Sequence, residues 1–228
     1  MLKQLTAAFV YAMVLSSSWA DEGWLFNRFS PDLKKFMVAH SEALTVLTNS
    51  FSEAFSNRTV NVFYFYSTNE AEARAEHIYP AAAGVADVLI CIRKNQHPMD
   101  QFISLLFETL NSRGERQFKN LMEDAYNGSV SKEVFVNTIR RLEFAETINT
   151  RALLVPLHFS KREIRQSRYY KLFMECPLEF EGFVAYSERI RGKRDVVKYY
   201  EDEYDELRRR NPNAKSEEQS RPEAERTK

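Results

Sequence analysis

The chain has 228 residues, of which 44% are hydrophobic, 28% charged and 13% aromatic. That composition supports a packed core and excludes wholesale disorder, and the length suits one domain with appendages. Lys and Arg number 32 against 32 Asp and Glu, which excludes the overall basic excess of a nucleic-acid binder; 2 cysteines exclude a disulfide-dense scaffold and a Cys-rich zinc module.

Residues 1–20 read as a secretory signal. Lys3 gives a positive start, Leu5 to Leu15 form an apolar run, and Ser18 and Ala20 place small residues at the expected cut. The run is too short for an anchor: 11 residues rise about 16 Å as a helix, against a bilayer core of about 30 Å. Cleavage after Ala20 leaves 31 basic and 32 acidic residues, a net charge of −1. Export to a periplasm or the extracellular space is expected, with no membrane-spanning segment left in the mature chain.

Ser30-Pro31-Asp32 is a helix start, with a capping hydroxyl, a first-turn proline and an acid near the positive helix end. Leu33, Phe36, Met37, Leu44, Leu47, Phe51 and Phe55 then recur near the helical period, predicting one helix over 31–55 with His40 on its apolar stripe. Val60 to Tyr66 is β-branched and aromatic and predicts a strand. Ala- and Glu-rich residues 69–77 suggest a short helix, and Val85 to Ile92 a second, buried strand. Helices follow at 98–112, 115–126, 131–154, 161–174, 179–190 and 194–210. The fold class is α+β, a small β-sheet followed by a predominantly helical second half, in a single domain over 21–210. Residues 211–228 alternate in charge and lack large aliphatics, which predicts a disordered tail.

Few residues suggest chemistry. His77, His97 and His158 lack a ligand partner at helical spacing. Export would permit a disulfide between Cys91 and Cys176, although sequence does not say whether they meet. Asn57-Arg58-Thr59 and Asn127-Gly128-Ser129 match the glycosylation triplet. On the 98–112 helix, Gln101, Ser104, Glu108, Asn111 and Glu115 form a polar stripe that reads as a solvated face. On the 131–154 helix, Glu146 and Asn149 fall within the apolar stripe of Phe135, Ile139, Leu142 and Leu153. A carboxylate there needs a partner or a cleft, expected elsewhere in the fold because Arg140 and Arg151 lie off this face. Glu146→Ala should then cost more than about 1 kcal/mol and Glu108→Ala almost nothing.

The run Leu105-Leu106-Phe107-Glu108-Thr109-Leu110-Asn111-Ser112 resembles the active helix of zincin metallopeptidases, with Glu108 at the general base and Phe107 and Asn111 at the two histidines. Glu143 to Arg151, with Glu143, Glu146 and Asn149, is similar to the helix that supplies the acidic third ligand in glutamate-type zincins. The resemblance covers about residues 85–155 and implies a zincin-like scaffold that has lost its metal. Phe107 has no lone pair and Asn111 is a poor neutral donor, so neither zinc nor any other cofactor is expected.

Two functions follow from this reading. The first is an exported, non-catalytic binding protein. Its 194–210 helix carries a narrow stripe of Val196, Val197, Tyr200, Tyr204 and Leu207 that can dock on a protein partner or pack on its own domain. The alternative is a hydrolase that pairs Glu108 with Glu143 or Glu146, since two carboxylates perform acid–base work when their environments separate their pKa values.

Overall fold

The computed structural model describes residues 22–55, 60–65, 75–78, 88–191 and 193–211. The expected signal segment, the Asn57 triplet and the chain beyond residue 211 lie outside them. The described residues are predominantly helical. Where the sequence suggests one domain over 21–210, the contacts divide the chain into two compact units, Met1–Thr109 and Leu110–Lys228.

The first unit begins with α1 (Glu22–Arg28) and α2 (Pro31–Ala39). Ser30 Oγ accepts from the Leu33 N–H at 3.2 Å and Pro31 occupies the first turn, the cap its sequence predicts. The single helix expected over 31–55 breaks at His40, where φ −129° and ψ 71° leave the helical region, and α3 (Ser41–Phe55) restarts beyond it. The buried positions Leu33, Phe36 and Met37 on α2 and Ala43, Leu47, Ser50, Phe51 and Phe55 on α3 keep nearly one helical phase across the joint, so the apolar period does not reveal it. His40, half-buried at the joint, has its ring 4.5 Å from that of Phe36.

Three strands follow: β1 (Val60–Phe65), β2 (Ala75–Ile78) and β3 (Val88–Arg93). β3 lies between the other two, parallel to β1 from Val60↔Val88 to Phe65↔Arg93 and antiparallel to β2 from Ala75↔Ile92 to Ile78↔Leu89. Residues 75–77 were expected in a helix. Pairing with β3 overrides the helix propensity of Ala and Glu there, and residues 66–74 lie outside the described set. Val88, Ile90 and Ile92 are fully buried while Cys91 between them is partly exposed, the alternation of a strand. α4 (Pro98–Asn111) then buries Met99, Phe102, Ile103 and Leu106, with the Phe102 ring 6.0 Å from Phe36.

The second unit opens with a 3-10 turn (Ser112–Gly114) and α5 (Glu115–Asn127). Gly128 ends α5 at φ 78°, a conformation that costs glycine little and other residues more. Arg208 Nη1 and Asn211 Nδ2 both donate to the Tyr126 carbonyl, at 3.1 and 2.6 Å, and satisfy an acceptor of the helix end. Asn211 is buried and belongs to the fold, not to the tail expected to start there.

Ser131 caps α6 (Lys132–Leu154) through the Val134 N–H. The helix expected over 161–174 is two, α7 (Lys161–Gln166) and α8 (Arg168–Glu175). Ser167 separates them with φ −84° and ψ 121°, and its hydroxyl accepts from the Tyr170 N–H at 3.0 Å. A serine able to cap a new helix competes with helix continuation, which the apolar period alone does not reveal. α9 (Phe180–Arg191) and α10 (Lys193–Arg210) complete the unit.

Two apolar clusters hold it together. Leu121, Ala125, Phe135, Val136, Ile139 and Tyr200 form the larger, with Val197, Tyr204 and Leu207 packed on them. Cys176, Phe183 and Tyr186 form the smaller, with Phe144, Leu172 and Phe180 around them.

Candidate functional site

The polar stripe of α4 is not solvated. Gln101 and Ser104 have almost no exposed surface, and Glu108 and Glu115 are also buried; only Asn111 in the stripe is half-exposed. Buried amides require partners, and Gln101 has them: its Oε1 accepts from Ser30 Oγ at 2.8 Å, and its Nε2 donates to the Lys94 and Gln96 carbonyls at 3.0 and 3.1 Å. The stripe ties α2 and the loop after β3 to α4. Glu115 pairs with Lys119 one turn on. Glu108 thus sits on a buried polar face, inside Met1–Thr109, while Glu143 and Glu146 belong to Leu110–Lys228.

On α6 the expected core phase is also revised. The buried residues are Phe135, Val136, Ile139, Arg140, Thr150 and Leu154, and nothing from 141 to 149 is fully buried. Glu146 is half-buried and Asn149 exposed, and they satisfy each other: Asn149 Nδ2 donates to Glu146 Oε2 at 3.1 Å. The partner expected elsewhere in the fold is therefore on the same helix. Burial raises the Glu146 carboxyl above its ordinary range, opposed by the Asn149 hydrogen bond and by the Arg113 charge. Glu143 turns instead to α10, accepting a short hydrogen bond from Tyr200 Oη. These two neighbouring carboxylates serve different partners.

Arg140, which the sequence places off the Glu146 face, is a clamp onto α9. Its Nη2 donates to Glu188 Oε1 at 3.0 Å, to Val184 O at 3.3 Å and to Ser187 Oγ at 3.5 Å. The guanidinium is buried and its carboxylate partner mostly so. The pattern left no trace in the sequence, because Glu188 is 48 residues away.

Cys91 belongs to the first unit and Cys176 to the second, and each is a thiol in the structure. Cys91 lies on β3, whereas Cys176 follows α8 and belongs to the smaller apolar cluster. Burial pushes the Cys176 thiol up, against the opposing charge of Arg151, so it is a poor nucleophile. His97 Nδ1 accepts from the Met99 N–H at 3.3 Å and so helps start α4. Among the described residues no three His, Cys, Asp or Glu side chains converge as metal ligands. Phe107 and Asn111 stand on α4 where the resemblance would need imidazoles, so the donor set does not fit zinc.

Four residues of the α10 stripe are covered within their own unit, and the side chain of Val196 lies outside the described ones. Val197, Tyr200, Tyr204 and Leu207 all pack into the larger cluster, and Tyr204 Oη donates to the Val130 carbonyl at 2.9 Å. Tyr199, at the edge of the stripe, stays 60% exposed. No described helix is long and apolar enough to cross a membrane.

One feature escaped the sequence reading. Residues 158–171 hold five of the 32 Lys and Arg but one of the 32 Asp and Glu. A sliding charge count would have found it, whereas the balanced total concealed it. No protein-family model, curated protein or solved structure matches the chain.

Proposed function

We propose that the chain is an exported protein that acts by contact, on a scaffold that resembles the zincins but lacks the side chains to hold their metal. The observation that carries this reading is the use made of the α6 carboxylates. Glu143 accepts from Tyr200 of α10 and Glu146 from Asn149 on its own helix, so the two carboxylates are held by different donors. A catalytic acid–base pair needs two carboxylates aimed at one reacting group. The order β3, α4, α6, with Phe107 and Asn111 in place of imidazoles, supports the metal-free scaffold.

The test is expression with the natural leader in a secreting host. Recovery outside the cytoplasm with Asp21 as the new N-terminus supports export; retention with Met1 intact contradicts it. The purified protein should turn over no peptide or ester substrate from a general hydrolase panel. Turnover that disappears in Glu108→Gln or Glu146→Gln would establish the hydrolase instead.

A further inference from the structure

We infer that the basic face of α7 and α8 is a docking surface for an anionic lipid bilayer. The inference deepens the contact-based reading and rests on it for the mode of action, while its physical basis is separate. Lys161, Arg162, Arg165 and Lys171 are exposed, and none has an acidic partner among the described residues. Arg168 adds a fifth charge to the same stretch. Two acids, Glu163 and Glu175, stand against these five cations, so the two helices keep a net charge of +3; Glu163 Oε2 accepts from the Ser160 N–H at 2.9 Å, closing a capping box at the start of α7.

The charges are gathered by the fold. Lys161 and Arg165 are one turn apart on α7, as Arg168 and Lys171 are on α8. Lys171 Nζ reaches back from α8 to the Arg165 carbonyl at 3.3 Å, so the two helices present one patch. The patch is also anchored. The Phe159 and Tyr170 rings meet edge to face at 5.9 Å, Tyr186 Oη on α9 donates to the Leu172 carbonyl at 2.8 Å, and Arg151 Nη1 on α6 donates to the Cys176 carbonyl at 2.6 Å.

Charge complementarity requires an anionic occupant, and the neighbouring side chains favour a bilayer. Val155, six residues before the first lysine, is 61% exposed. Ile164, Tyr169 and Tyr170, interleaved with the cations, are half-buried. Cations that reach lipid phosphates beside aliphatic and tyrosine side chains at headgroup depth form the interfacial pattern of a peripheral membrane protein. A folded acidic partner would instead need carboxylates matched to each cation, and a nucleic acid would gain nothing from Val155.

The test is sedimentation of the full chain with phosphatidylcholine vesicles, with and without about one-third phosphatidylglycerol. The apolar leader, where retained, contributes to both, so the difference between the vesicles reads the basic face. Preferential binding to the anionic vesicles is expected, weakening as the screening length falls from about 10 Å to about 3 Å between 0.1 and 1 M salt. Replacing Lys161, Arg162, Arg165 and Lys171 with Gln should reduce it by about two orders of magnitude or more, roughly fivefold for each charge. Circular dichroism on that variant checks folding, and the salt titration of the unaltered chain stands whether or not the variant folds. Equal binding to both vesicle types, or binding unaffected by salt, overturns the proposal. So does retention by heparin or polyglutamate without anionic vesicle binding, which assigns the face to a soluble polyanion. None of these failures creates hydrolase turnover, and turnover lost in Glu108→Gln would refute the contact reading with vesicle binding intact.

Discussion

α10 and the α7–α8 pair are both dense in charge, yet they differ in what the charge does. On α10, Lys198 pairs with Asp202 at 2.9 Å, and Arg209 and Arg210 pair with Glu206 at 2.6 and 3.0 Å. Asp205 reaches Lys132 of α6 at 2.7 Å, and the opposite face of the helix enters the core. That helix closes on itself and on its own unit. Across α7 and α8 five cations face solvent against two acids, Glu163, which accepts from the Ser160 N–H, and Glu175 at the end of α8. Charge density alone does not mark a binding surface; uncompensated charge does.

The largest expected effect tests the closed half of this comparison. The Phe135 side chain is fully buried beneath α10, with its ring 5.5 Å from that of Tyr204. Phe135→Ala should cost about 3–5 kcal/mol in denaturant unfolding. A loss below about 1 kcal/mol would mean that α10 is not seated on the core.

Next comes the buried ion pair of Arg140 and Glu188. Arg140→Leu removes a guanidinium with three acceptors on α9 and leaves Glu188 without it, so a loss of about 2–3 kcal/mol is expected. The exposed Lys198→Ala, measured in the same way, should stay within about 0.5 kcal/mol. Similar costs for the two would remove the distinction between clamping and surface pairs.

Glu108 and Glu146 sharpen the same point, because their expected roles are exchanged. Glu108→Ala should now cost more than about 1 kcal/mol, since the side chain is buried on a polar face. Glu146→Ala should cost less, because its carboxylate is half-exposed and its partner Asn149 is on the surface.

The smallest effect is a pH dependence. Burial raises the folded-state pKa of Glu146, so the folded protein holds this proton more tightly than the unfolded chain. Its contribution to stability therefore falls as pH rises from the unfolded pKa through the raised folded one, and is least favourable above both. Glu146→Gln should be at least as stable as the parent at neutral pH and should lose that advantage in acid. Thermal unfolding across this range checks the sign; an advantage that grows in acid contradicts it.

Much of the fold was legible because its signals are local. The Ser30 cap and the helix bounds near 98–112, 115–126 and 131–154 each rest on signals within one or two turns of sequence. What was missed depends on distant groups or on local competition. A helix breaks at His40 although the apolar period runs on through it, and Ser167 breaks another by capping the next. Residues 75–77 pair with a strand whose register the sequence does not print. The stripe of Gln101, Ser104 and Glu108 looked solvated because its polar residues hide the partners waiting at Ser30, Lys94 and Gln96. Glu146 looked like a core carboxylate because a uniform helical period overlooks the only partly covered turns between Arg140 and Thr150.

The most direct test of the account compares two matched variants on anionic vesicles. One carries Gln at Lys161, Arg162 and Arg165; the other carries Gln at Lys198, Arg209 and Arg210, with the same change in net charge. Binding should fall about a hundredfold in the first and by no more than about twofold in the second. Equal losses would show that total charge, and not the basic face of α7 and α8, governs the contact.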